Sequence, residues 1–261
     1  MRYLYCIVFS ILVILLFTRT NAQTMNGDLT LVKGRILKIE SDSVVIKNLI
    51  MHDSSTLVLM AGSQSYYLKL NKLVFGANCQ ILCSSTKGTH GRDGREPETP
   101  SGPCKSGLPG EAGQNGANGK PGNTLTMEVS SVESTGKKTF GIYLNGGDGG
   151  DGGDGGNGSN GYRGTKFCVS NGGDGGNGGN GGDGGKGGIL IVHSSVDSTA
   201  FKSKITVFVN GGYKGYGGRP GNGGVSGPGS SEKSKYGVKG REGLKGKNGP
   251  SGKIFFKNRI S

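Results

Sequence analysis

The chain has 261 residues, of which 55 are glycine and none tryptophan, and a net charge of +13. So glycine-rich a chain cannot build an ordinary aliphatic core along its whole length. The charge is uneven: residues 202–261 carry thirteen basic and two acidic side chains, whereas 87–201 carry ten and twelve.

The first residues, MRYLYCIVFSILVILLFTRTNA, combine a basic start, an apolar run and small residues before a cut after Ala22. That pattern predicts a signal peptide over 1–22, and so an exported chain at the cell surface or outside the cell. The apolar run is shorter than the roughly 20 residues a membrane-spanning helix needs. Cleavage leaves Cys79, Cys83, Cys104 and Cys168, which suggests two disulfides in an oxidising compartment. On one strand, Cys79 and Cys83 would sit roughly 13 Å apart at about 3.3 Å per residue, beyond disulfide reach. Each is therefore expected to pair with Cys104 or Cys168. No cofactor or metal motif accompanies them.

Residues 23–86 read as β structure with a repeat of 24. Val44-Val45-Ile46 lies over Leu68-Lys69-Leu70, Leu49-Ile50-Met51 over Leu73-Val74-Phe75, and Leu57-Val58-Leu59 over Ile81-Leu82-Cys83. Three short strands per period predict a parallel β-solenoid-like module, with residues 28–42 as a degenerate first coil. A small antiparallel sandwich is the alternative.

Residues 87–261 follow a metre of three. Glycine occupies every third position over 107–122, 146–164, 172–187, 212–227 and 237–252, with 88–94 as a shorter sixth run. Strand-like pieces separate them: TLTMEVSS, KTFGIYL, KFCVS, ILIVHSS, KITVFV and KIFFK. The stretch from Thr124 matches that from Ile189 at an offset of 65, each closing on NGG. Such register is unnecessary in a flexible linker. A polyproline-II-type helix turns every three residues and rises about 3.1 Å per residue, so each run is a rod about 50 Å long. Glycine faces let backbones approach until peptide groups bond one another. The expected fold is mainly β and irregular: the β module, then a polyglycine-II bundle with short connecting strands and essentially no α-helix. Runs from Asn145 and Asn171, with two glycines in three, belong at the centre, and those from Gly107 and Gly237 at the periphery. Ser159 replaces a glycine near the end of its run, which should lose a neighbour there.

The NGGDGGNGGNGGDGG runs resemble the polyglycine-II bundles of snow flea antifreeze protein and of phage tail-fibre tip adhesins. The whole chain is similar to bacterial secreted collagen-like glycine-rich proteins. The resemblance covers about 87–261 and implies a fold; it carries over no binding residue.

His52, His90 and His193 are isolated, with no nucleophile motif or phosphate loop, so the chain reads as non-enzymatic. The ladder Asp148, Asp151, Asp154 spaces carboxylates roughly 9 Å apart, too far to share a proton or one calcium shell; it reads as a solvated ridge. Lys239, Arg241, Lys245 and Lys247 either pair with the acidic runs or form a cationic face for an anionic polymer such as a surface glycan. Candidate binding loops are 89–106, Tyr162-Arg163 with Lys166, and 228–236; Tyr213, Tyr216 and Tyr236 could stack on sugars or pack internally. The expected role is structural or adhesive, as a monomer with loops on a rigid platform. The alternatives are ice binding and a collagen-like trimeric stalk.

Overall fold

The computed structural model describes residues 22–60, 62–83, 85–135, 140–195 and 201–258. The expected leader lies outside them apart from Ala22. Among the described residues the protein is mainly β, with helix confined to Phe201 and Lys202. Its strands are β1 (Ala22–Leu31), β2 (Ile36–Ile39), β3 (Ser43–Met51), β4 (Thr56–Leu59), β5 (Ser65–Phe75) and β6 (Gln80–Cys83). They continue as β7 (Thr124–Ser134), β8 (Phe140–Tyr143), β9 (Ile189–Ser194), β10 (Ile205–Phe208) and β11 (Lys253–Asn258).

Odd strands form one sheet in the order β1-β3-β5-β7-β9-β11, and even strands a second in the order β10-β8-β6-β4-β2. Every pairing is parallel, which excludes the antiparallel sandwich. A parallel neighbour needs a crossover connection, and here each crossover runs through the opposite sheet. The repeat offsets are the sheet register: Val44 pairs with Leu68 and Leu57 with Ile81, then Thr124 with Ile189 and Phe140 with Ile205. Both sheets continue across residue 86 into the glycine-rich region.

The three short strands expected per period are two. In β3, Val44 and Ile46 point inward, and so do Leu49 and Met51. The alternation slips at Lys47–Asn48, so one strand bends where two were expected. The same slip falls at Asn71–Lys72 in β5 and Ser130–Ser131 in β7. Between sheets the turns stack: Gly34, Ser54 and Asn78 all have φ between 53° and 71°. Gly34 donates to the Asp53 carbonyl at 2.9 Å and Ser54 to that of Ala77 at 2.7 Å. This left-handed conformation suits glycine and is tolerated by asparagine. The inward residues form one apolar core between the sheets, including Leu49, Leu57, Leu73, Phe75, Ile81, Phe140 and Phe201. The Phe75 and Phe140 rings lie 5.3 Å apart.

After β6, β8 and β10 the chain leaves the sheets along one glycine run and returns along another. The pairs are 86–96 with 105–122, 145–164 with 171–188, and 210–228 with 235–252, numbered here as the first to sixth runs. Outgoing and returning runs are antiparallel: Gly147, Gly150, Gly153 and Gly156 donate to Lys120, Ala117, Gln114 and Glu111 at 2.8–2.9 Å. Odd runs are mutually parallel: Gly149, Gly152, Gly155 and Gly158 donate to Tyr213, Tyr216, Arg219 and Asn222, each at 2.8 Å. Even runs pair likewise, as in Gly178 to Arg241 at 2.8 Å. The bonds recur every third residue.

The third run bonds to the first, second, fourth and fifth, and the fourth to the second, third, fifth and sixth. These are the two runs expected at the centre, and their spare glycines are required: a Cβ on Gly153 would overlap the Arg92 carbonyl oxygen. The sixth run is at the edge, bonded to the fourth and fifth. The second is less peripheral than its single glycine face suggests, because the short first run lies beyond it. Backbone bonds between the first run and the third end at Gly94–Asp154, Asn157 Nδ2 donates to Glu96 just beyond, and Ser159 lies past both. It is buried and keeps its other neighbours, with its Oγ accepting the Leu108 N–H at 2.9 Å.

The piece KFCVS is a turn and not a strand. It forms the far tip of the second pair of runs, where Cys168 bonds Cys104 at the tip of the first. Residues 89–96 belong to the first run, so the loop expected over 89–106 begins later, beyond Glu96. No described helix is long and apolar enough to cross a membrane.

Candidate binding surface

Each parallel layer carries a second ladder, which the sequence reading missed. Beyond glycine-to-carbonyl bonds, the amides of one run are held by short acceptor side chains of the run before it. Asn145, Asp148, Asp151, Asp154, Asn157 and Asn160 accept, through Oδ1, the N–H groups of Asn210, Tyr213, Tyr216, Arg219, Asn222 and Val225 at 2.6–3.0 Å. In the other layer Asn171, Asp174, Asn177, Asn180 and Asp183 accept those of Lys235, Val238, Arg241, Leu244 and Lys247 at 2.7–2.9 Å. The ladder begins earlier in places: His90 Nδ1 accepts from Asp151, Asp93 from Asp154, and Asn115 and Asn118 from Asn180 and Asp183.

The aspartates are therefore more than a solvated ridge, although Asp154, Asp174 and Asp183 are exposed. They cap the backbone of the adjacent run, and the carboxylate of Asp148 is held below its usual range by the Tyr213 N–H and then by Lys87. Lys87 Nζ lies 2.9 Å from Asp148 Oδ2. The rule explains the residue alphabet. The third and fourth runs place Asp or Asn at every position of this column from Asn145 to Asn160 and from Asn171 to Asp183; the fifth and sixth runs have no parallel successor and carry Tyr213, Tyr216, Arg219, Val238, Arg241, Leu244 and Lys247. An Asx pattern at an offset of 64–65 was the available signal.

The cationic residues do not pair with the acidic runs. Arg241 and Lys247 give their backbone N–H to Asn177 and Asp183, and no described ion pair involves Lys239, Arg241, Lys245 or Lys247. All four are exposed along the sixth run. Lys245 sits 5.7 Å over the ring of Tyr216 on the fifth run, joining two candidates. Tyr213 and Tyr236 are exposed and stand toward opposite ends of these runs.

Tyr162, Arg163 and Lys166 gather at the tip. Tyr162 N–H donates to Lys105 at 2.9 Å, Arg163 accepts from Cys104 at 3.3 Å, and Lys166 lies 5.2 Å over the Phe167 ring, itself 86 % exposed. The third tip joins through the Ser231 N–H to the Cys168 carbonyl at 2.8 Å and Ser170 N–H to Ser234 Oγ at 3.0 Å.

The cross-module disulfides expected for Cys79 and Cys83 do not form. Both are free and buried in the core. Cys79 Sγ donates to the His52 carbonyl at 3.1 Å, and burial pushes the Cys83 thiol up to about 12. Strand alternation turns both inward, away from the tips. The clefts that remain are shallow. A cleft of about 410 Å³ is bounded by Ser54, Asn78, Gln80, Gly141, Tyr143 and Phe208, and gathers no acid–base pair.

These features define a two-sheet, all-parallel β protein that projects hydrogen-bonded glycine arms with a disulfide at their tips. Compared with family models, curated proteins and solved structures, the chain matches none.

Proposed function

We propose that this is an exported, non-enzymatic structural or adhesive protein: a flattened β-solenoid beginning in 23–86 that carries, over 87–261, a polyglycine-II bundle. The observation that carries the reading is the three-residue hydrogen-bond ladder joining all six runs within one chain. Backbone bonds at that density offset the large ordering entropy of glycine, and a rigid platform about 50 Å long follows. Rigid platforms are suited to displaying loops that bind. The leader sequence and the tip disulfide, Cys104–Cys168, both support an extracellular or cell-surface setting. Partner runs found within one chain favour a monomer over a collagen-like trimer.

The test of the platform is circular dichroism of the mature protein, where a cooperative thermal loss of the polyproline-II signal is expected and a gradual drift refutes the bundle. A glycan array then tests adhesion: retention lost on Tyr162→Ala with Lys166→Ala supports presentation by the tips.

Ice binding is the second reading. The outer column of the second run is Ser106, Pro109, Ala112, Asn115, Asn118 and Pro121, all exposed, uncharged and regularly spaced. Thermal hysteresis abolished by Ala112→Lys would establish that role in place of adhesion.

A further inference from the structure

We propose that the sixth run, over 235–247, is a linear binding site for an acidic polysaccharide whose charged sugars alternate with uncharged ones. The inference rests on the platform reading, because it needs the run to be a straight rod.

The run bonds only to the fourth and fifth, so two of its three side-chain positions per turn stay exposed. One column is Lys235, Val238, Arg241, Leu244, Lys247; the other is Tyr236, Lys239, Glu242, Lys245, Asn248. The first is rigidly spaced, since its backbone N–H groups are fixed on Asn171, Asp174, Asn177, Asn180 and Asp183. Only Asp174 and Asp183 among those acceptors are charged, and neither forms a described ion pair with a cation of this run. The cations Lys235, Arg241 and Lys247 of one column and Lys239 and Lys245 of the next are all exposed, forming a two-column band along the run.

Spacing distinguishes the possible polyanions. Five cations over residues 235–247 span about 37 Å along the rod at 3.1 Å per residue, a mean of one every ~9 Å. A nucleic-acid strand presents a phosphate every ~3.4 Å, far denser than this row, and Glu242 between Lys239 and Lys245 would repel it. Val238 and Leu244 also interrupt the charge, at 69 % and 72 % exposed. A polymer with a carboxylate on alternate sugars meets both features, placing anionic groups on the cations and the apolar C–H faces of its neutral sugars on Val238, Leu244 and Tyr236. Tyr216, lying under Lys245, extends this aromatic surface onto the fifth run.

The experiment is calorimetric titration of the full mature chain with hyaluronan oligosaccharides of about ten sugars, with polygalacturonate, dextran and single-stranded DNA of similar length as comparators. Hyaluronan is expected to bind tightest, weakening as salt rises. K239Q/R241Q/K245Q/K247Q is expected to weaken it at least tenfold while the melting temperature stays close to the wild-type value, because these head groups form no described ion pair and the single ring contact, of Lys245 with Tyr216, lies at the exposed surface. K33Q/K38Q, at the opposite end of the sheets, is expected to leave it unchanged. DNA binding at least as tight as hyaluronan, equal retention of dextran, or undiminished binding by the fourfold variant overturns the proposal. A chain that melts cooperatively yet binds no polyanion refutes this site alone, whereas a non-cooperative melt refutes the platform.

Discussion

The side-chain ladder makes an asymmetric prediction about two asparagines of the same type and exposure. Asn177 on the fourth run accepts the Arg241 N–H at 2.8 Å. Asn222 on the fifth run has no parallel run beyond it, and its side chain supports no amide. Asn177→Ala removes one neutral hydrogen bond, worth about 1 kcal/mol, and so lowers the melting temperature by roughly 2–4 °C for a chain of this size. Asn222→Ala is expected to fall within about 0.5 kcal/mol of wild type. Asn177→Asp keeps the acceptor oxygen, adds charge to it and lies beside Arg241, so it is expected to match or exceed wild-type stability. Replacing the column by D174A/N177A/N180A/D183A removes two neutral and two charge-assisted bonds, about 4–9 kcal/mol in all. That approaches the whole stability of a typical domain, about 5–15 kcal/mol, so the variant is expected to lose its cooperative transition. Thermal melts followed by circular dichroism read all four variants. Equal losses for Asn177→Ala and Asn222→Ala would refute the ladder as a source of stability.

Three further outcomes are expected. Because the Asp148 carboxyl lies below its usual range, its contribution is present above the unfolded-state value near 4 and is lost as pH falls through the lower, folded-state value. Melting temperatures from pH 6 to pH 2 should therefore show wild type losing its advantage over Asp148→Asn at the acidic end, and a difference constant with pH would contradict this. Cys168→Ser opens a loop of 64 residues between the tips, and chain entropy gives a loss of about 4 kcal/mol; in the denatured, unreduced wild-type protein Cys79 and Cys83 should react with a thiol reagent while Cys104 and Cys168 stay blocked. Finally, Asn157–Gly158 is clamped, with the side chain accepting from Asn222 and the glycine N–H donating to its carbonyl. Asn222–Gly223 is not, so the glycine nitrogen is freer to attack the asparagine carboxamide and release ammonia. Peptide mapping after prolonged incubation at pH 8 should find aspartate and isoaspartate at Asn222 before Asn157, and the reverse order would count against the clamp.

Much of the sheet register was legible because it is written as repetition. An offset of 24 aligned Val44 with Leu68 and Leu57 with Ile81, and an offset of 65 aligned Thr124 with Ile189; all three pairs are neighbours in the parallel sheets. The central positions of the third and fourth runs were legible for a different reason, since only glycine on two faces admits backbone on both. The role of the aspartates was not legible from one run. A helix with a three-residue turn presents its outward side chains to solvent when considered alone, and only the amide of the next run, 64–65 residues away, turns that face into an acceptor row. The bent strands were missed because the inward alternation changes phase at Lys47–Asn48, which reads in sequence as a gap between two strands.

The cysteines show how far the same repetition could have been carried. A reading of strand geometry correctly keeps Cys79 and Cys83 apart, and then seeks partners for both among the two that remain. Inward alternation gives a different answer, since Cys79 stands before and Cys83 at the end of a strand whose apolar phase faces the core, sealed from any loop. Cys104 and Cys168 are separated by 64 residues, the offset at which Asp174 accepts from Val238 and Gly149 donates to Tyr213. Two residues related by the repeat that stacks successive arms must lie side by side at their tips. The disulfide is thus one more rung of the ladder, and the only covalent one among the described residues.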